Sequence, residues 1–198
     1  MICTKSLKTY SRESLKISRI RFSKHYKYIM KHVKKRRINV VIRAMAEKDW
    51  ERVSEIYKQG MEGGTATFNT QCPGFEEWDK GHIKDCRFVF EEDGNVVGWV
   101  AISPSSSRCA YKGCVEMSIY VDQNYRGRGV GTALVKELIT QSQKAGFWSI
   151  YSSIISINKA SIGLHKKCGF REIGYRERIA KDRFGEWQNT TLMEYRAS

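Results

Sequence analysis

The sequence predicts an α/β fold built on a mixed, partly parallel sheet, and three observations carry that prediction. In the second half of the chain, short β-branched and aromatic stretches alternate with helix-length segments of 3.6-residue periodicity, the order that crossover helices between parallel strands produce. The first half instead places two strand-like runs on either side of Asp93-Gly94-Asn95, a strong antiparallel hairpin signal. Between the halves, Gly127, Gly129 and Gly131 crowd the passage from a strand into a helix.

The elements follow in order. "INVVIRAM" is a strand candidate at about 38–44. "AEKDWERVSEIYKQGMEGG" carries Trp50, Val53, Ile56 and Tyr57 at helical spacing and closes on Gly63-Gly64. "TATFNTQCPGFEEWDKGH" reads as a loop through Pro73-Gly74 and then a short helix. The hairpin "DCRFVFEEDGNVVGWVAISP" follows, and "CVEMSIYVD" is a further strand with Val115, Met117, Ile119 and Val121 on its apolar positions. The helix after the glycines presents Val130, Leu134, Leu138 and Ile139. "FWSIYSSII" is a strand, Asn158 an N-cap, and "KASIGLHKKC" a helix ended by Gly169. Two last strands, "FREIGYRERIA" and "NTTLMEYRA", turn around Phe184-Gly185. No internal repeat or linker interrupts residues 38–198.

Charge divides the chain. The net charge is +14 over 198 residues. Residues 1–37 hold thirteen Lys and Arg against Glu13, so the remaining body, residues 38–198, is nearly neutral. The organisation expected is a basic N-terminal extension, 1–37, poorly ordered or helical, followed by one domain, 38–198. The extension has three readings: an arm for nucleic acid or a membrane surface, an Arg- and Ser-rich transit peptide, or a solvated extension with Met30 as an internal start. No run of about 18 apolar residues is present for a membrane span. The start of the chain lacks the apolar core of a secretory signal. The six cysteines show neither CxxC pairs nor scaffold density, and the four histidines do not cluster with them. A reduced, cytoplasmic protein without a metal is expected.

The glycine stretch, "YRGRGVGTAL", sits where a phosphate site needs it. A helix N-terminus offers unpaired N–H groups and a positive dipole end, and glycines let a pyrophosphate approach the backbone. Arg126 and Arg128 add charge. The plain alternative is a flexible strand-to-helix turn. The stretch is not a Walker loop, and it lacks the last glycine of GxGxxG.

Arg126-x-x-Gly129-x-Gly131 resembles the acetyl-CoA loop of the GNAT N-acetyltransferases, and Asn158 with "LHKKCGF" resembles their second signature. "GTATFNT", "EEW", "SSSRCAYKGCVEMSIYV", "NKASIGLHKKCGF" and "RERIAKDRFGEW" are similar to the phosphinothricin and methionine sulfoximine N-acetyltransferase branch, over about residues 38–196. One departure is Asn189, where that branch usually has Asp. The resemblance implies the GNAT fold: a mixed, mostly antiparallel central sheet with a parallel splayed pair, flanked by helices. It implies acetyl-CoA as acetyl donor, a small-molecule amine as acceptor and a homodimer.

It also implies site residues. Glu116 matches the acid used as general base, and His165 stands where many of these enzymes have the tyrosine that protonates coenzyme A. The plain alternatives are a solvated strand carboxylate and a helix-surface histidine. Ile119, Tyr120 and Val121 would offer backbone groups to the pantetheine arm, and Arg126, Gly127, Arg128, Gly129, Val130, Gly131 and Thr132 would cradle the phosphates. Asn158 and Ser161 would face the cofactor, unless Asn158 is only an N-cap. Phe68, Arg108, Tyr111 and Ser118 are the substrate candidates, Arg108 as a bidentate partner for an α-carboxylate. Trp78 and Trp99 read as core.

Three functions remain open on these residues. The leading one is direct acetylation of a small amino acid. The second is a GNAT enzyme acting on protein N-termini, polyamines or another amine, for which the acids Glu76, Glu77 and Asp79 leave room. The third is a nucleic-acid module using the basic extension, for which no recognition signature exists.

Overall fold

A computed structural model describes residues 39–197, so the expectations for the extension 1–37 lie outside the described residues. Seven strands form one sheet: β1 (Val40–Ala44), β2 (Arg87–Glu92), β3 (Asn95–Pro104), β4 (Cys114–Val121), β5 (Ser149–Ile155), β6 (Arg171–Lys181) and β7 (Trp187–Arg196). Their spatial order is β1-β2-β3-β4-β5-β7-β6. Every adjacent pair is antiparallel except β4 and β5, which run parallel. The helices are α1 (Trp50–Glu62), α2 (Phe75–Gly81), α3 (Val130–Lys144) and α4 (Lys159–Lys167). The order and type of elements match the reading of the sequence, including the short helix after Pro73-Gly74.

The hairpin closes as its residues demand. Asp93 and Gly94 both have positive φ, 50° and 83°, and Glu92 pairs with Asn95, leaving a two-residue turn whose twist suits an antiparallel pair.

Two apolar layers sandwich the sheet. Val53, Ile56, Tyr57 and Met61 of α1 pack with Trp78, Val89, Trp99 and Ala101 on one side. Leu134, Val135 and Leu138 of α3 and Ile162 of α4 pack with Val100, Ile102, Met117, Ile150 and Met193 on the other. Each fully buried aliphatic chain contributes roughly 1.5–3 kcal/mol. Trp78 and Trp99 are core, as the sequence indicates.

The decisive feature lies at the middle of the sheet. β4 and β5 pair only at Cys114–Ser149, Val115–Ile150 and Glu116–Tyr151. Beyond that last rung the strands part, so Met117–Val121 and Ser152–Ile155 face each other across a wedge with ladder groups free on their inner edges. The wedge holds the site.

Candidate active site

The mouth of the wedge is set by three anchors. At the end of β4, Asp122 is 2% exposed and accepts from the N–H of Asn124, from Gln59 Nε2 at 3.0 Å and from Arg52. These contacts hold the start of the glycine loop against α1. Gly129 adopts φ +87° as the N-cap of α3, a left-handed conformation that side chains resist, and a Cβ there would meet nothing within 4 Å. The space before the helix N-terminus is therefore open to a ligand. Gly131 works differently: its Cβ would come within 3.0 Å of Leu164, so glycine here lets α3 and α4 pack closely.

A cleft of about 470 Å³ extends from this cradle, lined by Gly60, Tyr120, Val121, Arg126, Gly127, Gly129, Val130, Gly131, Thr132 and the face of α4 through Lys167. Arg128 does not line it. That side chain lies over the Tyr125 ring and 3.9 Å from Glu92. Lys167, a cation on the cleft wall, was not singled out from the sequence, where it reads as an ordinary basic residue of a helix end. The open helix terminus, glycine backbone, Arg126 and Lys167 together suit a polyphosphate.

Asn158 and Ser161 line both this cleft and a second cavity of about 760 Å³ within the wedge. Asn158 is the N-cap, accepting from Ser161 N at 3.0 Å, and its amide also donates to Thr65 O at 3.1 Å. It thereby ties α4 to the loop that carries Phe68.

The second cavity is lined by Phe68, Glu116, Ser118, Ile119 and His165. Met117, between Glu116 and Ser118, is buried in the core, in keeping with strand alternation. Burial raises the Glu116 carboxyl above its ordinary value, and the Arg176 charge opposes the rise. His165 is not on a helix surface. It is 2% exposed, its Nδ1–H donates to Ser161 O at 2.8 Å, and Nε2 accepts from the Ser152 hydroxyl at 3.0 Å. Because a carbonyl only accepts, the proton of the neutral ring sits on Nδ1. Burial pushes its pKa below the ordinary histidine value.

Arg108 and Tyr111 lie elsewhere. Arg108 is exposed on the loop before β4 with its guanidinium 5.3 Å over the Tyr111 ring, and neither residue lines the cavity. The expectation of an Arg108 carboxylate clamp thus lacks a wall to act from. The acids of α2 are also remote from it: Asp79 pairs with Arg87, and Glu76 and Glu77 are exposed. Ser152, Arg176 and Thr190 line the cavity and escaped sequence reading, because only strand register brings them there.

An open helix terminus whose cleft continues between parted strand edges suits a ligand that is polyphosphorylated at one end and extended along the strands at the other. The family model for the GNAT acetyltransferases matches residues 50–170, and the chain belongs to that family. Phosphinothricin N-acetyltransferase of Alcaligenes faecalis is 29% identical over 159 residues, covering 77% of this chain and 80% of that one. An L-methionine sulfoximine/L-methionine sulfone acetyltransferase of Pseudomonas paraeruginosa is 34% identical over 101 residues, 51% of this chain and 58% of its own. A crystal structure of a GNAT superfamily phosphinothricin acetyltransferase from Sinorhizobium meliloti in complex with acetyl-CoA superposes with a TM-score of 0.73 at 27% identity, covering 80% and 89% of the two chains. The protein is an N-acetyltransferase enzyme with acetyl-CoA as its donor. Among the described residues, no helix is long and apolar enough to cross a membrane.

Proposed function

We propose that this enzyme transfers acetyl directly from acetyl-CoA to the α-amino group of a small amino acid or analogue of the phosphinothricin, methionine sulfone or methionine sulfoximine type. The observation that carries the reading is the cavity around Glu116, which joins the phosphate cleft at Asn158 and Ser161.

In this reading the residues act as follows. Arg126, Gly127, Gly129, Val130, Gly131, Thr132 and Lys167 hold the phosphates, and the free inner edge of Ile119–Val121 holds the pantetheine arm. Glu116, ionised, takes the proton from the substrate ammonium so that the nitrogen lone pair can attack the thioester carbon. The C–S bond then breaks with its electron pair on sulfur. The attacking nitrogen sheds its second proton as the intermediate collapses, and that proton ends on the thiolate. His165 Nε2, which carries no proton, and the Ser152 hydroxyl bonded to it line the same cavity and can relay it. Phe68 and Ser118 bound the substrate side. No acyl-enzyme is needed.

We further propose a cytoplasmic homodimer. Strand β6 is exposed over most of its length, with Ile173, Tyr175 and Ile179 at 45–52% exposure at the edge of the sheet, an apolar surface that a second copy would cover.

The test is an acetyl-CoA turnover screen against free amino acids, methionine sulfone, phosphinothricin, peptides with free N-termini and spermidine. Acetylation of the first three groups supports the reading, and a preference for peptides or spermidine overturns it.

A further inference from the structure

The Glu116 cavity holds two polar side chains without partners among the described residues. Thr190 on β7 is 2% exposed and lines the cavity, yet its hydroxyl has no hydrogen-bond partner. An orphaned buried hydroxyl costs about 1–3 kcal/mol unless something satisfies it. Arg176 on β6 is the direct cross-strand partner of Thr190, so the two side chains stand side by side on one face of the sheet. Arg176 also lines the cavity, and among the described residues its guanidinium forms no ion pair within 4.0 Å and no hydrogen bond. The other carboxylate of the cavity, Glu194, is already engaged by Arg171 at 2.7 Å and Ser149 at 2.9 Å.

We propose that Arg176 and Thr190 form the subsite for the carboxylate of the acceptor. The pair supplies a charged, forked donor beside a hydroxyl donor, which together match the two oxygens of a carboxylate. Glu116 stands across the same cavity, within electrostatic reach of Arg176. An α-amino acid carries a cationic nitrogen and an anionic carboxylate on adjacent atoms, and a Glu–Arg pair complements both ends. Polyamines, with cations at both ends, would meet Arg176 unfavourably. The subsite deepens the amino-acid reading and rests on it.

The experiment uses the full chain with methionine sulfone, or whichever amino acid the screen selects, and its decarboxylated amine. Arg176→Gln and Thr190→Val should each raise KM for the amino acid, by about tenfold to a hundredfold for the arginine, with KM for acetyl-CoA unchanged. Arg176→Lys should retain part of the affinity, and Thr190→Ser most of it. For the decarboxylated amine, assayed above the acid limb, neither change should raise KM. The acid limb of kcat/KM should also move to higher pH in Arg176→Gln, since the charge that holds the Glu116 carboxyl down is gone. The other ionisable side chains lining the cavity are Cys114 on β4, Tyr151 on β5, His165 on α4 and Glu194 on β7, and each is unaltered in this variant. An unchanged amino-acid KM in Arg176→Gln overturns the subsite even if the wild type acetylates amino acids. A wild type that acetylates no amino acid overturns the proposed function instead, so the two failures are distinct.

Discussion

The Ser152 hydroxyl lies 3.0 Å from His165 Nε2, and both groups are buried where β5 leaves β4. With Nδ1–H bound to the Ser161 carbonyl, the ring is locked neutral and in one tautomer. Its folded pKa lies below the ordinary value of 6.5. On acidification the unfolded chain therefore takes up a proton before the folded one, so stability is full above about pH 6.5 and declines as pH falls below it. His165→Gln should flatten that decline, read by urea melts between pH 5 and 7. His82 is shifted in the same direction and leaves a residual slope. A wild-type slope that His165→Gln does not reduce would show that this ring is not held neutral. Ser152→Ala should cost about 1 kcal/mol by removing the donor to Nε2.

The phosphate cradle separates two glycines that look alike in sequence. Gly129→Ala strains a left-handed N-cap that glycine adopts freely, and it crowds the mouth of the cleft. Its expected effect is a rise in KM for acetyl-CoA of at least severalfold, with about 1 kcal/mol of lost stability. Gly131→Val instead pushes against Leu164 and should lower the melting temperature more than Gly129→Ala does. Comparing the two by thermal melts and acetyl-CoA kinetics checks the distinction. Equal melting shifts would mean that Gly131 is not a packing residue.

Asp122 anchors the same region from beneath. Burial alone would raise its carboxyl, but hydrogen bonds from Gln59, the Asn124 N–H and Arg52, with the Arg52 charge, hold it below the ordinary value of 3.8. A depressed carboxylate adds stability above the unfolded pKa, and that stability is lost as pH falls through the folded value. Arg52 is a third exposed, so the ion pair is partly screened. Asp122→Asn should cost about 1–3 kcal/mol at pH 7 and much less near pH 3, measured by denaturant unfolding at both values. A cost that does not shrink in acid would remove the charge from the explanation.

The sequence displays the cradle, the helix that carries His165 and the strand that carries Glu116, because each depends on local signals: glycine before a helix, an N-cap, alternation along a strand. It conceals what register decides. Arg176 and Thr190 meet because β6 and β7 pair through a bulge between Arg176 and Ala180, where Arg178 takes φ 47° and its N–H donates to Asn189 Oδ1 at 2.7 Å. Asn189 is thus a fastening of that bulge. No periodicity marks such a shift. Ser152 is hidden for a similar reason. A serine amid "SIYSSII" gives no sign that the strand beside it has just departed. Arg108 is the reverse case: from the sequence it is a candidate partner for a carboxylate, and the fold places its side chain exposed over Tyr111 and off the cavity wall.

The two arginines make opposite forecasts. Arg108 is exposed and off the cavity, and its one close partner is Tyr111. Arg108→Ala should leave amino-acid KM within about twofold of wild type, since exposed surface substitutions rarely exceed ±0.5 kcal/mol. A tenfold rise would restore Arg108 as the carboxylate partner and require the loop to close over the cavity.

In the proposed mechanism Glu116 is the general base, and its effects on rate and on stability have opposite signs. Burial favours the protonated carboxyl, so the folded pKa lies above the ordinary 4.5. A general base must be ionised, so kcat/KM should fall as pH drops through that raised value, higher than an exposed glutamate would give. Glu116→Gln keeps the size and removes the base. Turnover should fall about a hundredfold or more, and the acid limb should vanish. Stability should respond the other way. A carboxyl raised by burial is a cost to the fold at neutral pH, because the unfolded chain ionises it more readily. Glu116→Gln should therefore be at least as stable as wild type at pH 7, with the difference closing below pH 4. Thermal melts across that range, set beside the pH–rate profiles, test both signs on one variant. A Glu116→Gln enzyme that is inactive because it is unfolded would contradict the stability sign, and one with near-normal turnover would contradict the base. Loss of rate together with kept or gained stability is the pattern of a group retained for chemistry against the preference of the fold.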